Sequence, residues 1–344
     1  MKTVISITRV AFTFIGTVVG AGFASGQEIL QFFTKYGSIA LYTIAISSLL
    51  FIWLGTKLLL LAHDLKVTTY AELNIVIFGH RVGSIISLCT LIILLGSVSV
   101  MLAGSGTLLH EQLHISYFAG LVITLLLAYF VLVRGIQAIM NINTVVVPLM
   151  LLCCLILVIM TWQSPVPYHE MVSHQVHSIK MVVAAPFLYT AFNLAMAQAV
   201  IVPLGATIRD RSILLSGGIF GGVGIGLLLY ASHYVLSTKM PLIMFEQMPL
   251  ASLMKTLGTV SQYGYACILF SEMFTTLVGN TFGLALQLHT KLQISLSRVF
   301  LFTLLITFVI SHVGFKQLLS LLYPIFGVVS LGWLFMIAMY RFSK

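Results

Sequence analysis

Ten apolar runs, each of roughly 20 residues or more, fill this chain: 5–34, 38–62, 83–108, 116–134, 139–161, 178–207, 212–237, 259–288, 294–312 and 317–340. A helix crosses a bilayer core with about 20 residues. Backbone polar groups facing lipid must be paired within their own segment. The pattern therefore predicts an all-α integral membrane protein with about ten transmembrane helices and no separate soluble domain. Composition agrees, with 60% hydrophobic and 7% charged residues, against about 25% charged in soluble domains.

A net charge of +9 could mark a nucleic-acid binder, but the basic residues are scattered between the runs. They read instead as topology signals. With the N-terminus cytoplasmic, twelve of the 17 fall inside: Lys2, Arg9, Lys57, Lys66, Arg81, Arg134, Arg209, Arg211, Lys291, Arg298, Arg341 and Lys344. Five fall outside: Lys35, Lys180, Lys239, Lys255 and Lys316. Every arginine is inside, so both termini are expected in the cytoplasm of a multi-pass protein of the cell membrane. Lys2 and Arg9 ahead of an apolar stretch also resemble a secretory signal, but the ten-span count uses that stretch as the first span. Two links are long enough for short helices, 63–82 on the inside and 239–257 on the outside.

The first run breaks in its middle, at Val18–Phe33, "VVGAGFASGQEILQFF". Its Gly20, Gly22 and Gly26 superficially suggest a dinucleotide loop, but no strand precedes them. The spacings Gly16 to Gly20 and Gly22 to Gly26 also suit close helix packing. Ser25 and Glu28 add a capping-box pattern, which marks a helix start. One helix should end near Val19 and another begin near Gly26. Between them, glycines free the backbone, and its unpaired groups are costly at membrane depth unless something polar meets them. A substrate carboxylate at the amides and a cation at the carbonyls would do so. Gln27 and Glu28, with Asn280 of the eighth run, are expected to form a second polar site.

The sixth run carries Pro186 ahead of Tyr189, Thr190 and Asn193. Asn193 is expected to cap a restarting helix, with Tyr189 and Thr190 facing the same cavity and all three expected to bind substrate. Two interrupted segments, five runs apart, point to inverted five-span halves, 1–161 and 178–340, around a midplane site. In the eighth run Glu272, Thr275 and Thr276 share one helical face, and Asn280 continues it. An ionisable group there costs at least about 2.5 kcal/mol on insertion scales, so it should face inward and have a job or a partner; Glu272 is expected to carry the coupling cation together with Thr275 and Thr276. Cys89, Cys153, Cys154 and Cys267 all lie in apolar runs and read as buried thiols. His169, His174 and His177 share an outside loop with no metal-site spacing, and His233 reads as a packed histidine. No nucleophile–base–acid set and no phosphate loop occurs, so no enzyme activity and no cofactor are expected.

At "GTVVGAGFASGQEILQFFTKYG" the sequence resembles the YkvI-type family of bacterial membrane proteins, a short branch of the amino acid–polyamine–organocation superfamily. The resemblance implies the five-plus-five inverted repeat of the LeuT type, with broken first and sixth helices. It implies a cation held by the carbonyls of Gly16 and Val19 and the hydroxyls of Thr275 and Thr276. It also implies a substrate carboxylate at the amides of Gly20, Ala21 and Gly22 beside Ser25, and an aromatic wall near Tyr189. The chain departs from the superfamily in having about ten spans where many members have twelve. Glu272 also stands where sodium-coupled relatives carry a small residue. The coupling ion is therefore a sodium ion or a proton. The expected function is secondary transport of a small amino acid or related zwitterion by alternating access. The alternative is a permease-like receptor that binds a small ligand without moving it.

Overall fold

A computed structural model describes residues 2–163, 179–246, 248–255 and 258–340; the histidine-bearing outside loop lies outside them. Among the described residues there is no strand, and helical rods follow the ten apolar runs. The first span comprises Lys2–Val18, a single turn Ala21–Ala24, and Gln27–Phe32. The second is Thr34–Leu65. The third lies within Tyr70–Leu113. The fourth and fifth are Tyr117–Leu132 and Ile136–Gln163. The sixth, seventh and eighth are Ile179–Thr207, Arg211–Ser237 and Thr259–Leu292. The ninth and tenth are Leu296–Ser311 and Phe315–Met339.

Large apolar side chains face outward along these rods, among them Tyr42, Leu49, Leu126, Phe220, Phe302 and Phe335. Serines, threonines and amides face inward, as Ser97, Thr190, Asn193 and Gln198 show. That distribution suits a lipid solvent, where polar groups must find partners inside the protein.

The links behave as their sequences indicate. Thr69 and Glu72 close a capping box at the start of a short helix, and Gly79 turns the chain at φ 76° into the third span. A 3-10 turn, Leu242–Phe245, and the helix Pro249–Lys255 fill the link before the eighth span.

Packing between spans repeats when five is added to each number. The first packs on the seventh and the sixth on the second; the first on the fifth and the sixth on the tenth. The third meets the tenth as the eighth meets the fifth, and third–fourth is matched by eighth–ninth. This is the five-plus-five arrangement in physical form. A glycine ladder in the seventh span, unremarked in the sequence reading, makes the close crossings. A Cβ on Gly217 or Gly221 would come within 2.5 or 2.6 Å of Val10 or Phe14 in the first span. One on Gly222 would come within 2.6 Å of the Ile52 backbone in the second.

Only one of the two expected breaks takes the expected form. The first span leaves helical geometry at Val19 and Gly20 and again at Ser25 and Gly26. The sixth runs as one helix through both Pro186 and Pro203. A proline removes one N–H and can be absorbed as a local distortion. Between Pro186 and Asn193 there is no glycine to open the chain further. Ser47 Oγ from the second span donates to the Pro186 carbonyl at 3.3 Å. Asn193 does not cap a restarting helix: its Nδ2 donates back to the Tyr189 carbonyl at 3.0 Å, within the same helix.

Candidate functional site

The capping box expected at Ser25 and Glu28 does not form. Gly26 occupies the N-cap of Gln27–Phe32 at φ 84°, a left-handed conformation that glycine accepts readily. With the chain turned this way, Ser25 Oγ accepts from the Gln27 amide (3.3 Å) and donates to the Gly22 carbonyl (3.0 Å). Glu28 is buried, 5% exposed, and its side chain folds back over Gly22. A Cβ on Gly22 would lie 2.0 Å from Glu28 Oε1. The site that the sequence reading gave to a substrate carboxylate is thus shared with the chain's own carboxylate.

The segment between the two helical pieces is held from outside the first span. The Leu250 amide donates to the Ser25 carbonyl at 2.9 Å. The Tyr265 hydroxyl, buried in the eighth span, donates to the Ala24 carbonyl. Tyr265 also lines a cavity of about 440 Å³ with Glu111, Gln112, Glu246, Ser252 and Gln262. It therefore stands between that vestibule and the break. The sequence reading missed Tyr265, because a tyrosine near the start of an apolar span normally reads as an interfacial anchor.

Below Tyr265 the eighth span turns its polar face to the first. Glu272 is fully buried, and neither carboxylate oxygen has a hydrogen-bond partner among the described residues. Its backbone carbonyl accepts from Thr275 Oγ1 at 3.1 Å and Thr276 Oγ1 at 2.9 Å. The threonines therefore meet the main chain of Glu272, not its carboxylate. A Cβ on Gly20 would lie 3.2 Å from Thr276 Oγ1, so this oxygen cluster abuts the break. Among the described residues, no hydrogen bond ends on the carbonyls of Gly16 or Val19. Buried neutral oxygens without donors, beside hydroxyls that retain lone pairs, form a donor set suited to a hard cation such as sodium.

Other expected residues take structural roles. Asn280 donates to Ser97 Oγ of the third span at 3.0 Å, away from the break. Tyr189 is buried against Phe33, Phe32 and Phe51, with ring centroids 5.0, 5.4 and 6.0 Å away. It forms an aromatic wall beside the restarted half of the first span. Thr190 is buried, and among the described residues neither its Oγ1 nor the Gln27 Oε1 has a hydrogen-bond partner. Ala21 opens the single turn between the helical pieces. His233 Nδ1 lies 3.1 Å from Thr34 Oγ1, a buried packed pair as expected. All four cysteines are free, but only Cys154 is buried as expected; Cys89 and Cys153 are half-buried and Cys267 is exposed.

No protein-family model matches the chain. It is 35% identical over 329 residues to the membrane protein YkvI of Bacillus subtilis (strain 168), covering 96% of this chain and 94% of that one. It is 21% identical over 330 residues to YyaD of the same organism, covering 95% and 94%. Among solved structures it superposes on MhsT in complex with L-phenylalanine with a TM-score of 0.69 at 12% identity, covering 94% and 87%. The fold is the inverted-repeat transporter fold that the sequence resemblance implied.

Proposed function

Given that the chain belongs to the family of the Bacillus subtilis membrane protein YkvI, we propose that it is a secondary active transporter of a small amino acid or related zwitterion. It works by alternating access across the cell membrane, coupled to sodium or protons, with both termini in the cytoplasm. The observation that carries this reading is the break at Val19–Ser25 facing the buried oxygens of Glu272, Thr275 and Thr276. A helix end whose Gly16 and Val19 carbonyls accept no hydrogen bond among the described residues is a costly arrangement inside a membrane, which ligand and ion binding would offset.

The substrate carboxylate meets the amides of the Gly20–Gly22 stretch, and Glu28 swings off Gly22 to admit it. Tyr189 and Thr190 line the side contributed by the sixth span. The carbonyls of Gly16, Val19 and Glu272 and the hydroxyls of Thr275 and Thr276 would hold a coupling cation, which supplies charge compensation there. The Glu272 carboxylate, buried with no hydrogen-bond partner among the described residues, holds a proton or faces a cation, because an isolated charge in hydrocarbon is prohibitively costly. Lys57 donates to the carbonyls of Ala338 and Tyr340, and Arg211 pairs with Asp64. These contacts group residues at one end of the bundle, the end the charge count assigns to the cytoplasm.

Counterflow in proteoliposomes tests the reading. Vesicles loaded with unlabelled amino acid should draw in labelled amino acid through this protein. Saturable binding of the same label to purified protein, with no counterflow, would replace the transporter with a receptor.

A further inference from the structure

Asn143 sits in the fifth span, one of many amides in apolar runs, and nothing in its sequence context singles it out. In the structure it is 1% exposed, and its Oδ1 has no hydrogen-bond partner among the described residues. It lies against Gly16: a Cβ there would meet Asn143 Oδ1 at 2.7 Å and Cγ at 2.8 Å. The glycine at 16 is what lets this amide approach the first span so closely. Gly16 lies in the last turn of the first helical piece, which ends at Val18, and Gly20 lies in the break just beyond it. Asn143 Oδ1 therefore meets the last turn before the break from the fifth span, and Thr276 Oγ1 meets the break itself from the eighth. These three spans pack on one another in all three pairings.

We propose that Asn143 is an oxygen ligand of the coupling cation and that this cation is sodium. The proposal rests on the transporter reading above and names its ion. A buried amide oxygen with no donor costs free energy that a cation can offset. A proton resides on one basic group and gains nothing from a row of neutral oxygens. A hard metal cation needs several oxygens at once. Here the neutral oxygens come from three spans: the Gly16 and Val19 carbonyls, Asn143 Oδ1, and the Glu272 carbonyl with its two threonine hydroxyls. Gly16 joins them, since its carbonyl lacks a donor among the described residues and its Cα face bears the amide. The fifth span gives the site a ligand outside the first and eighth, so sodium binding would tie the three together.

The test is equilibrium binding of radioactive sodium to the purified full-length chain, with potassium keeping ionic strength constant. Wild type should bind saturably. Asn143→Leu keeps approximate size and removes the oxygen; its affinity should fall by about tenfold or more, as when a metal site loses a supporting group. Asn143→Asp keeps an oxygen and should retain binding, now dependent on pH. Thermal unfolding without sodium should be similar for wild type and both variants, while the stabilisation added by sodium should vanish only in Asn143→Leu. Wild-type affinity in Asn143→Leu would overturn the proposal. So would equal loss in both variants, which marks a role in shape alone. No saturable sodium binding by wild type would overturn it too, while leaving the transporter reading to counterflow. Failed counterflow with intact sodium binding would sink that reading instead.

Discussion

Replacing Gly22 by alanine probes the break where the chain's own carboxylate lies on it. The new methyl would stand 2.0 Å from Glu28 Oε1, 2.5 Å from Cδ and 2.7 Å from Cγ. Non-bonded carbon atoms rest about 3.5–4.0 Å apart, so the carboxylate must retreat by roughly 1.5 Å. The three nearest atoms all belong to one flexible side chain, so the fold can survive the change. Overpacking of this kind costs about 1–3 kcal/mol. At the scaling of soluble domains of 150–250 residues, each kcal/mol lowers Tm by about 2–4 °C. The assay is thermal unfolding of Gly22→Ala, Glu28→Ala and the double variant in detergent. If the cost arises from the methyl against Glu28, removing that side chain relieves it, giving a coupling of about 1 kcal/mol or more between contacting residues. Gly22→Ala should also lose most counterflow, because the methyl enters the carboxylate site. Strict additivity of the two substitutions would refute the contact, and wild-type counterflow in Gly22→Ala would refute the site.

Glu272→Gln should change the dependence of transport on the coupling ion, seen as altered uptake profiles across sodium concentration and pH; an unchanged profile in both assigns Glu272 to packing. Tyr265→Phe leaves the Ala24 carbonyl without its donor, a loss of about 1–3 kcal/mol when the acceptor stays buried. It should also open the way from the vestibule. In a chain with Cys89, Cys153 and Cys267 changed to serine, buried Cys154 should react faster with a membrane-impermeant thiol reagent; equal rates would show that Tyr265 is no seal. Reporter fusions at both termini should report the cytoplasm, and an outside signal at either would contradict the charge-derived topology.

The frame of the molecule was readable because lipid imposes one dominant rule: apolar runs of crossing length become helices. The break was readable because Gly20, Gly22 and Gly26 interrupt such a run, where the chain cannot lose pairing without cause. Its detailed chemistry was not. The Ser25–Glu28 spacing matches a capping box, but the left-handed Gly26 rotates Glu28 onto Gly22, a turn of backbone that residue types alone do not specify. Pro186 signals weakness in the sixth span, yet a proline without neighbouring glycines bends a helix more readily than it opens one. On the eighth span, periodicity put Glu272, Thr275 and Thr276 on one face but could not separate carboxylate from carbonyl. Asn143 and Tyr265 escaped notice because their importance lies in what faces them from other spans.

The central claim is most directly tested by uptake of labelled amino acid into proteoliposomes carrying an imposed inward sodium gradient, with matched vesicles carrying an inward proton gradient. Cation-coupled transport predicts transient accumulation above the equilibrium level under the sodium gradient, abolished when an ionophore collapses it. Accumulation under the proton gradient alone would keep the transporter and replace its ion. Labelled ligand that binds the protein but never passes the equilibrium level under either gradient would contradict coupled transport itself.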